Sequence, residues 1–126
     1  MTIAETLLPE FDQEMTTTRR VLERVPGEKG EWKPHPKSFA LGHLTQLVAG
    51  MPGWITRTIG ATELDLAAGA GYSFETTATL LDLFDKNVRA ARAAIEGAKD
   101  SDFAVAWSLK MGDKVLMTSP RGPVVR

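Results

Sequence analysis

The stretch TTATLLDLFDKNVRAARAAIEG, residues 76–97, decides the fold class of this chain. Its apolar residues recur every three or four positions, which is the spacing of one face of an α-helix. The members of that stripe are Leu81, Phe84, Val88, Ala91 and Ile95. Thr76 or Thr77 can cap the start of the helix, and Gly97 suits the C′ position. The sequence therefore predicts an amphipathic helix over about residues 77–96.

The outer face of this helix carries acidic residues four positions before basic ones. Asp82 precedes Lys86, and Asp85 precedes Arg89. At this spacing oppositely charged side chains can pair on an exposed helix surface. We expect both pairs to face solvent and to take no part in a site.

A second apolar stripe predicts a helix near the N-terminus. It comprises Ile3, Leu7, Phe11, Met15, Leu22 and Val25. Thr2 and Glu5 could form a capping box. Pro9, however, lacks an amide hydrogen and clashes with the carbonyl one turn before it. We therefore expect a leading turn and then a helix over about residues 9–25, ended by the Pro26-Gly27 pair.

A third stripe follows a proline-rich connecting segment. It consists of Leu41, Leu44, Val48, Met51 and Ile55. Ser38 is the expected N-cap, and Pro52 with Gly53 should kink the helix. The expected helix spans about residues 39–59.

The remainder of the chain lacks helical periodicity. Small residues from Gly60 to Phe74 predict a mobile loop, and Gly69 with Gly71 lacks the strand and the third glycine of a dinucleotide-binding turn. Alternation around Trp107, with a turn at Gly112-Asp113, predicts a short hairpin near the C-terminus. Gly122 and Pro123 then argue against a fourth helix. We thus expect an all-α domain with three main helices.

Length and composition bound the class of protein. The 126 residues fit a single domain spanning 1–126, and 43% of them are hydrophobic. A net charge of −1 with interspersed charges argues against nucleic-acid binding. The chain has no cysteine, signal-like start or membrane-length apolar run, so we expect no disulfides, no membrane partner and a cytoplasmic location.

Three segments together resemble the DinB family. They are LLPEFDQEMTTTRRVLERVPGEKGEWKPHPKSFALGHLTQLVAGMPGW, LLDLFDKNVRAARAAI and WSLKMGDKVLMTSPR, and the similarity covers about residues 1–121. The resemblance implies an up-down-down-up four-helix bundle. It also implies a divalent metal, zinc or nickel, held by one histidine on the second helix and two on the fourth. Some relatives use that metal to activate a thiol cofactor for transferase chemistry.

The metal-ligand positions of the family are not filled in this sequence. The second-helix histidine would fall at Leu47, and the other two belong to a fourth helix that we do not expect here, so the bundle looks truncated. His43 lies one turn before Leu47 and is a weak candidate for a shifted metal site. A catalytic zinc site needs three protein ligands, and the chain has one further histidine, His35, in a loop. Glu14 and Asp85 could complete a makeshift site, but both should face water.

These observations leave two hypotheses of function open. The first is a degenerate DinB-like bundle without metal-dependent catalysis, which acts as a binding or assembly module and needs no cofactor. Because a three-helix core would leave an apolar groove open, we expect a homodimer. The alternative is a metal-dependent thiol-cofactor transferase or hydrolase. Trp32, Trp54 and Trp107 could line a pocket for an unknown small-molecule ligand, although we expect them to pack in the core.

Overall fold

The computed structural model of the protein describes residues 1–68, 73 and 76–126. Within these residues the chain forms three long helices, two short helices and a three-stranded sheet. In chain order they are α1 (Ile3–Glu23), α2 (Leu41–Gly60), β1 (Glu63–Asp65), α3 (Thr77–Gly97), α4 (Asp100–Phe103), β2 (Ala106–Met111), β3 (Lys114–Pro120) and α5 (Arg121–Val125). No described helix combines the length and the apolar character needed to cross a bilayer.

Helix α3 occupies the centre of the molecule, with α1 and α2 packed on it while they scarcely touch each other. The predicted helix over 77–96 is confirmed, and its Thr76 hydroxyl caps the Thr79 amide at 3.2 Å. Gly97 is the last helical residue rather than the C′ position. The buried residues form two apolar clusters, one of Leu22, Ala49, Leu80 and Phe84 and the other of Ala4, Phe11, Ala91, Ile95, Phe103 and Val125.

Helix α1 begins six residues before the predicted start at Pro9, so the expected leading turn is wrong. The capping box is present: the Glu5 amide donates to the Thr2 hydroxyl at 3.1 Å, and the Thr2 amide donates to the Glu5 carboxylate at 2.9 Å. The Ile3 amide also donates to Asp100 at 2.8 Å, which ties the helix start to α4. Pro9 is exposed and lies inside the helix. These three hydrogen bonds at the N-terminus offset the one that Pro9 removes.

Helix α2 begins at Leu41, after an Ala40 N-cap rather than the predicted Ser38, and continues through Pro52 to Gly60. Ala40 offers no side-chain cap, so the connecting segment supplies backbone acceptors instead. The Leu41 amide donates to the Trp32 carbonyl and the Gly42 amide to the Gly30 carbonyl, both at 2.8 Å. These bonds fix the proline-rich segment against the start of α2.

The sheet makes the fold mostly helical rather than all-α. The predicted hairpin is confirmed: β2 and β3 pair antiparallel, and Gly112 at the turn has a φ of 60°. The predicted loop after Gly60 is wrong in part, because β1 pairs parallel with β2. The Asp65 carboxylate accepts from the Gly112 and Ala67 amides, each at 2.9 Å, and these bonds lower its pKa. Gly69 and Gly71 lie outside the described residues.

The short helix α5 forms in a region where the sequence predicted no helix. Pro123 is its third residue, a position whose amide needs no helical acceptor. A side chain at Gly122 would lie 3.4 Å from the Phe103 carbonyl, so glycine allows α5 to approach α4 closely. Arg121 is buried and donates to the Ala61 carbonyl at 2.9 Å. Helix α5 therefore depends on tertiary contacts, including those of Val125 in the core.

Candidate functional site

The two histidines lie in separate environments. His43 is half-buried in the first turn of α2, and its ring packs edge-on against Phe39 with 4.5 Å between centroids. His35 is exposed in the connecting segment, where its Nδ1 accepts from the Lys37 amide at 3.1 Å. Leu47 is partly exposed on α2. Among the residues that the structure describes, no three His, Cys, Asp or Glu side chains are grouped to hold a metal ion.

The two carboxylates considered as makeshift metal ligands belong to Asp85 and Glu14, and their surroundings differ from those of the histidines. Asp85 accepts two hydrogen bonds from the Arg19 guanidinium, at 2.8 and 3.0 Å. These bonds lower the pKa of Asp85, and the same pairing raises the pKa of Arg19. The predicted Asp85–Arg89 pair is therefore replaced by an ion pair from α3 to α1. Glu14 is exposed on α1, as expected.

An apolar groove lies between α1 and α2, and we call it the α1–α2 groove. Its two walls carry exposed or half-buried side chains. Those on α1 are Leu7, Glu14 and Thr18, and those on α2 are Met51, Trp54 and Ile55. Phe84 of α3 and Met15 of α1 form part of its floor. The groove exists because α1 and α2 both pack on α3 and leave a gap between them.

Helix α5 closes one end of the α1–α2 groove. A cleft of about 320 Å³ lies where Trp54 and Met51 meet Val124 and Val125. A smaller cleft of about 110 Å³ lies between α1 and α5 beside Glu14. The groove thus contains apolar surface and two exposed carboxylates, those of Glu10 and Glu14.

The three tryptophans have different environments, and only one matches the expectation of core packing. Trp107 is buried on β2, with 3% of its surface exposed. Trp54 is 43% exposed on the groove wall, and Trp32 is 57% exposed in the connecting segment. Trp32 lines a separate cleft of about 440 Å³, which we call the Trp32 cleft; its other lining residues are Pro34, Lys37, Ser38, Phe39, Leu41 and Leu44. Sequence reasoning missed this cleft, although the clustered aromatics and prolines were its signal.

Comparison of the chain with protein-family models, with curated proteins and with solved structures finds no match. The fold and the groove are therefore the basis for any statement of function.

Proposed function

We propose that this protein is a DinB-like helical domain of the cytoplasm that acts as an assembly module, in which two copies cover each other's α1–α2 groove. The domain needs no metal or cofactor for this role. The groove is a docking surface for helices, and a second copy of this chain is its occupant. The segments quoted above for the family resemblance support the DinB-like part, and the geometry of α2 supports the assembly part.

One comparison within α2 carries the proposal. Thr58 and Met51 lie seven residues apart, which is two turns on the same helix face. Thr58 is 2% exposed, whereas Met51 is 60% exposed, although both line the cleft beside Val124 and Val125 of α5. The same face of α2 is thus closed at Thr58 and open at Met51. A further helix laid along the groove would close it.

The area of the open surface favours a specific interface. Apart from Met51 and Trp54 in the groove, α1 and α2 expose Val21, Leu44 and Leu47, and each of these five apolar side chains is between 38% and 62% exposed. From the usual sizes of such side chains they expose about 500 Å² together, near the upper end for the largest patch on a monomer. With its polar rim this surface approaches the ~800 Å² per partner of a stable interface. A two-fold dimer uses the same patch on both copies.

The alternative function, a metal-dependent thiol-cofactor transferase or hydrolase, finds less support. An apolar Leu47 occupies the position where the resemblance implies a ligand. His43 contacts an aromatic ring, and Asp85 is engaged by Arg19. Neither is grouped with two further ligands in the described residues. A thiol-activating site would need such a group.

Sedimentation of the purified protein across a range of concentrations tests the proposal. The wild-type chain has a mass of 13.7 kDa, and we expect a species of twice that mass. Met51→Lys removes about 2 kcal/mol of burial free energy per copy. The two-fold interface therefore loses about 4 kcal/mol, and the dissociation constant of the dimer rises roughly a thousandfold. The matched control is Met117→Lys, because Met117 is 43% exposed on β3, outside the groove.

The control variant should remain dimeric, with the sedimentation profile of the wild type. A monomer at every concentration, with a melting temperature unaffected by dilution, would contradict the proposal. So would a dimer that both substitutions weaken equally, since the interface would then lie elsewhere.

A further inference from the structure

We infer that the Trp32 cleft is a binding site for a small aromatic carboxylate, whose ring packs between Trp32 and Phe39 and whose anionic group pairs with Lys37. The inference is independent of the proposed assembly through the α1–α2 groove. It rests on the shape of the cleft, its fixed backbone and its single cation.

The lining of the cleft suits a flat apolar ring. Trp32 is 57% exposed and Phe39 is 56% exposed, so both rings offer free surface. Pro34, Leu41 and Leu44 complete the apolar lining. The volume of about 440 Å³ lies within the usual range for small-molecule sites. Aromatic side chains favour offset-stacked or edge-to-face contact with another ring.

The cleft is preformed despite lying in a connecting segment. The Leu41 amide donates to the Trp32 carbonyl at 2.8 Å, which joins the two sides of the cleft. The Ser38 amide donates to the His35 carbonyl at 3.0 Å. Pro34 has a restricted backbone, and the ring contact with His43 orients Phe39. A site already ordered loses less conformational entropy when a ligand binds.

The polar groups of the lining select an anion. Lys37 forms no ion pair with any acidic residue that the structure describes, and the Ser38 hydroxyl has no hydrogen bond there. No acidic residue contributes to the lining. A carboxylate attached to the ring by a short linker can take a charge-assisted hydrogen bond from the lysine and one from the serine. One cation matches one carboxylate, so the ligand carries a single negative charge.

Titration of the full-length protein with indole-3-acetate, followed by ¹H–¹⁵N NMR, tests this inference. We expect saturable shifts of the Trp32 indole N–H and of the Phe39 and Leu44 amides. The neutral indole-3-acetamide, which keeps the ring, should bind at least about threefold more weakly, because it cannot form the ion pair. Trp32→Ala should weaken binding of indole-3-acetate about tenfold or more, while Trp32→Phe should retain most of it.

The matched charge variants are Lys37→Gln and Lys33→Gln. Both lysines are exposed in the same segment, but only Lys37 lines the cleft. Lys37→Gln should equalise the affinities for the acid and the amide, whereas Lys33→Gln should leave their ratio unchanged. Equal affinity of the wild type for both probes, shifts centred on Trp54 instead of Trp32, or no saturation at millimolar probe would overturn the inference. Loss of probe binding as the protein concentration rises would also overturn it, because a second copy would then occupy the cleft.

Discussion

Replacing Phe84 with alanine should destabilise the protein far more than the same change at its neighbour on α3. Phe84 is 1% exposed and packs in the cluster with Leu22, Ala49 and Leu80, so it joins α3 to both α1 and α2. Removing a buried phenylalanine side chain costs about 3–5 kcal/mol. Clefts reach Phe84 both from the α1–α2 groove and from the α1–α3 side. Because neighbouring side chains can relax into the space beside these clefts, we expect about 3 kcal/mol, near the lower bound.

Urea and thermal unfolding, each followed by circular dichroism at one low protein concentration, measure this effect. For a chain of 126 residues, a loss of about 3 kcal/mol lowers the melting temperature by roughly 10 °C. Leu83→Ala is the matched control, because Leu83 is 39% exposed and should lose only about 1 kcal/mol. The reasoning would be refuted if the two variants unfolded with the same midpoint. That result would mean that α3 is not the element on which α1 and α2 pack.

Three further predictions concern metal, pH and the hairpin. His43→Ala should leave the zinc and nickel content of the dialysed protein unchanged, as measured by elemental analysis; stoichiometric metal lost in this variant would revive the enzyme hypothesis. Because Arg19 lowers the pKa of Asp85, the ion pair stabilises the fold above the unfolded pKa of about 3.9, and this contribution disappears as the pH falls through the lowered value. Asp85→Asn should therefore reduce the decrease in unfolding free energy between pH 5 and 2, by less than about 1 kcal/mol because the pair is partly exposed. Asp82→Asn should leave that decrease unchanged. Gly112→Ala should cost about 1 kcal/mol in urea unfolding because its φ of 60° is unfavourable for alanine; an unchanged midpoint would contradict the strained turn.

The elements that the sequence predicts well are those whose signals are local. Helix α3 has a threonine cap and an uninterrupted apolar stripe, and the hairpin has Gly112 at its turn. The sequence places the start of α1 too late when Pro9 is given more weight than the capping box. In the structure the helix begins directly after the capping residue Thr2 and also contains Pro9. Strand β1 has three residues and exists only through its parallel pairing with β2, from which it is more than 40 positions distant in the chain. No local pattern predicts such a pairing.

The candidate sites were harder to predict, because exposure depends on what packs nearby rather than on residue type. Trp32, Trp54 and Trp107 occur in similar sequence contexts, yet only Trp107 is buried. Helix α5 was missed for a related reason, since Gly122 signals a helix break in sequence but serves here as a close contact with α4. The sequence has an apolar Leu47 where the resemblance implies a metal ligand. It does not show how exposed that side chain is, which the structure gives as 38%.

The apolar side chains of the α1–α2 groove favour its proposed role in assembly over the binding of a metal. A wall that holds a metal must keep ligands unpaired and open to a substrate, which leaves polar atoms in the groove. Here the α2 wall presents Met51 and Trp54, and these side chains gain free energy when an apolar partner covers them. Such a wall would desolvate a polar substrate without compensating hydrogen bonds. The apolar side chains of the groove therefore make it a suitable surface for a helix of a second copy, as proposed above.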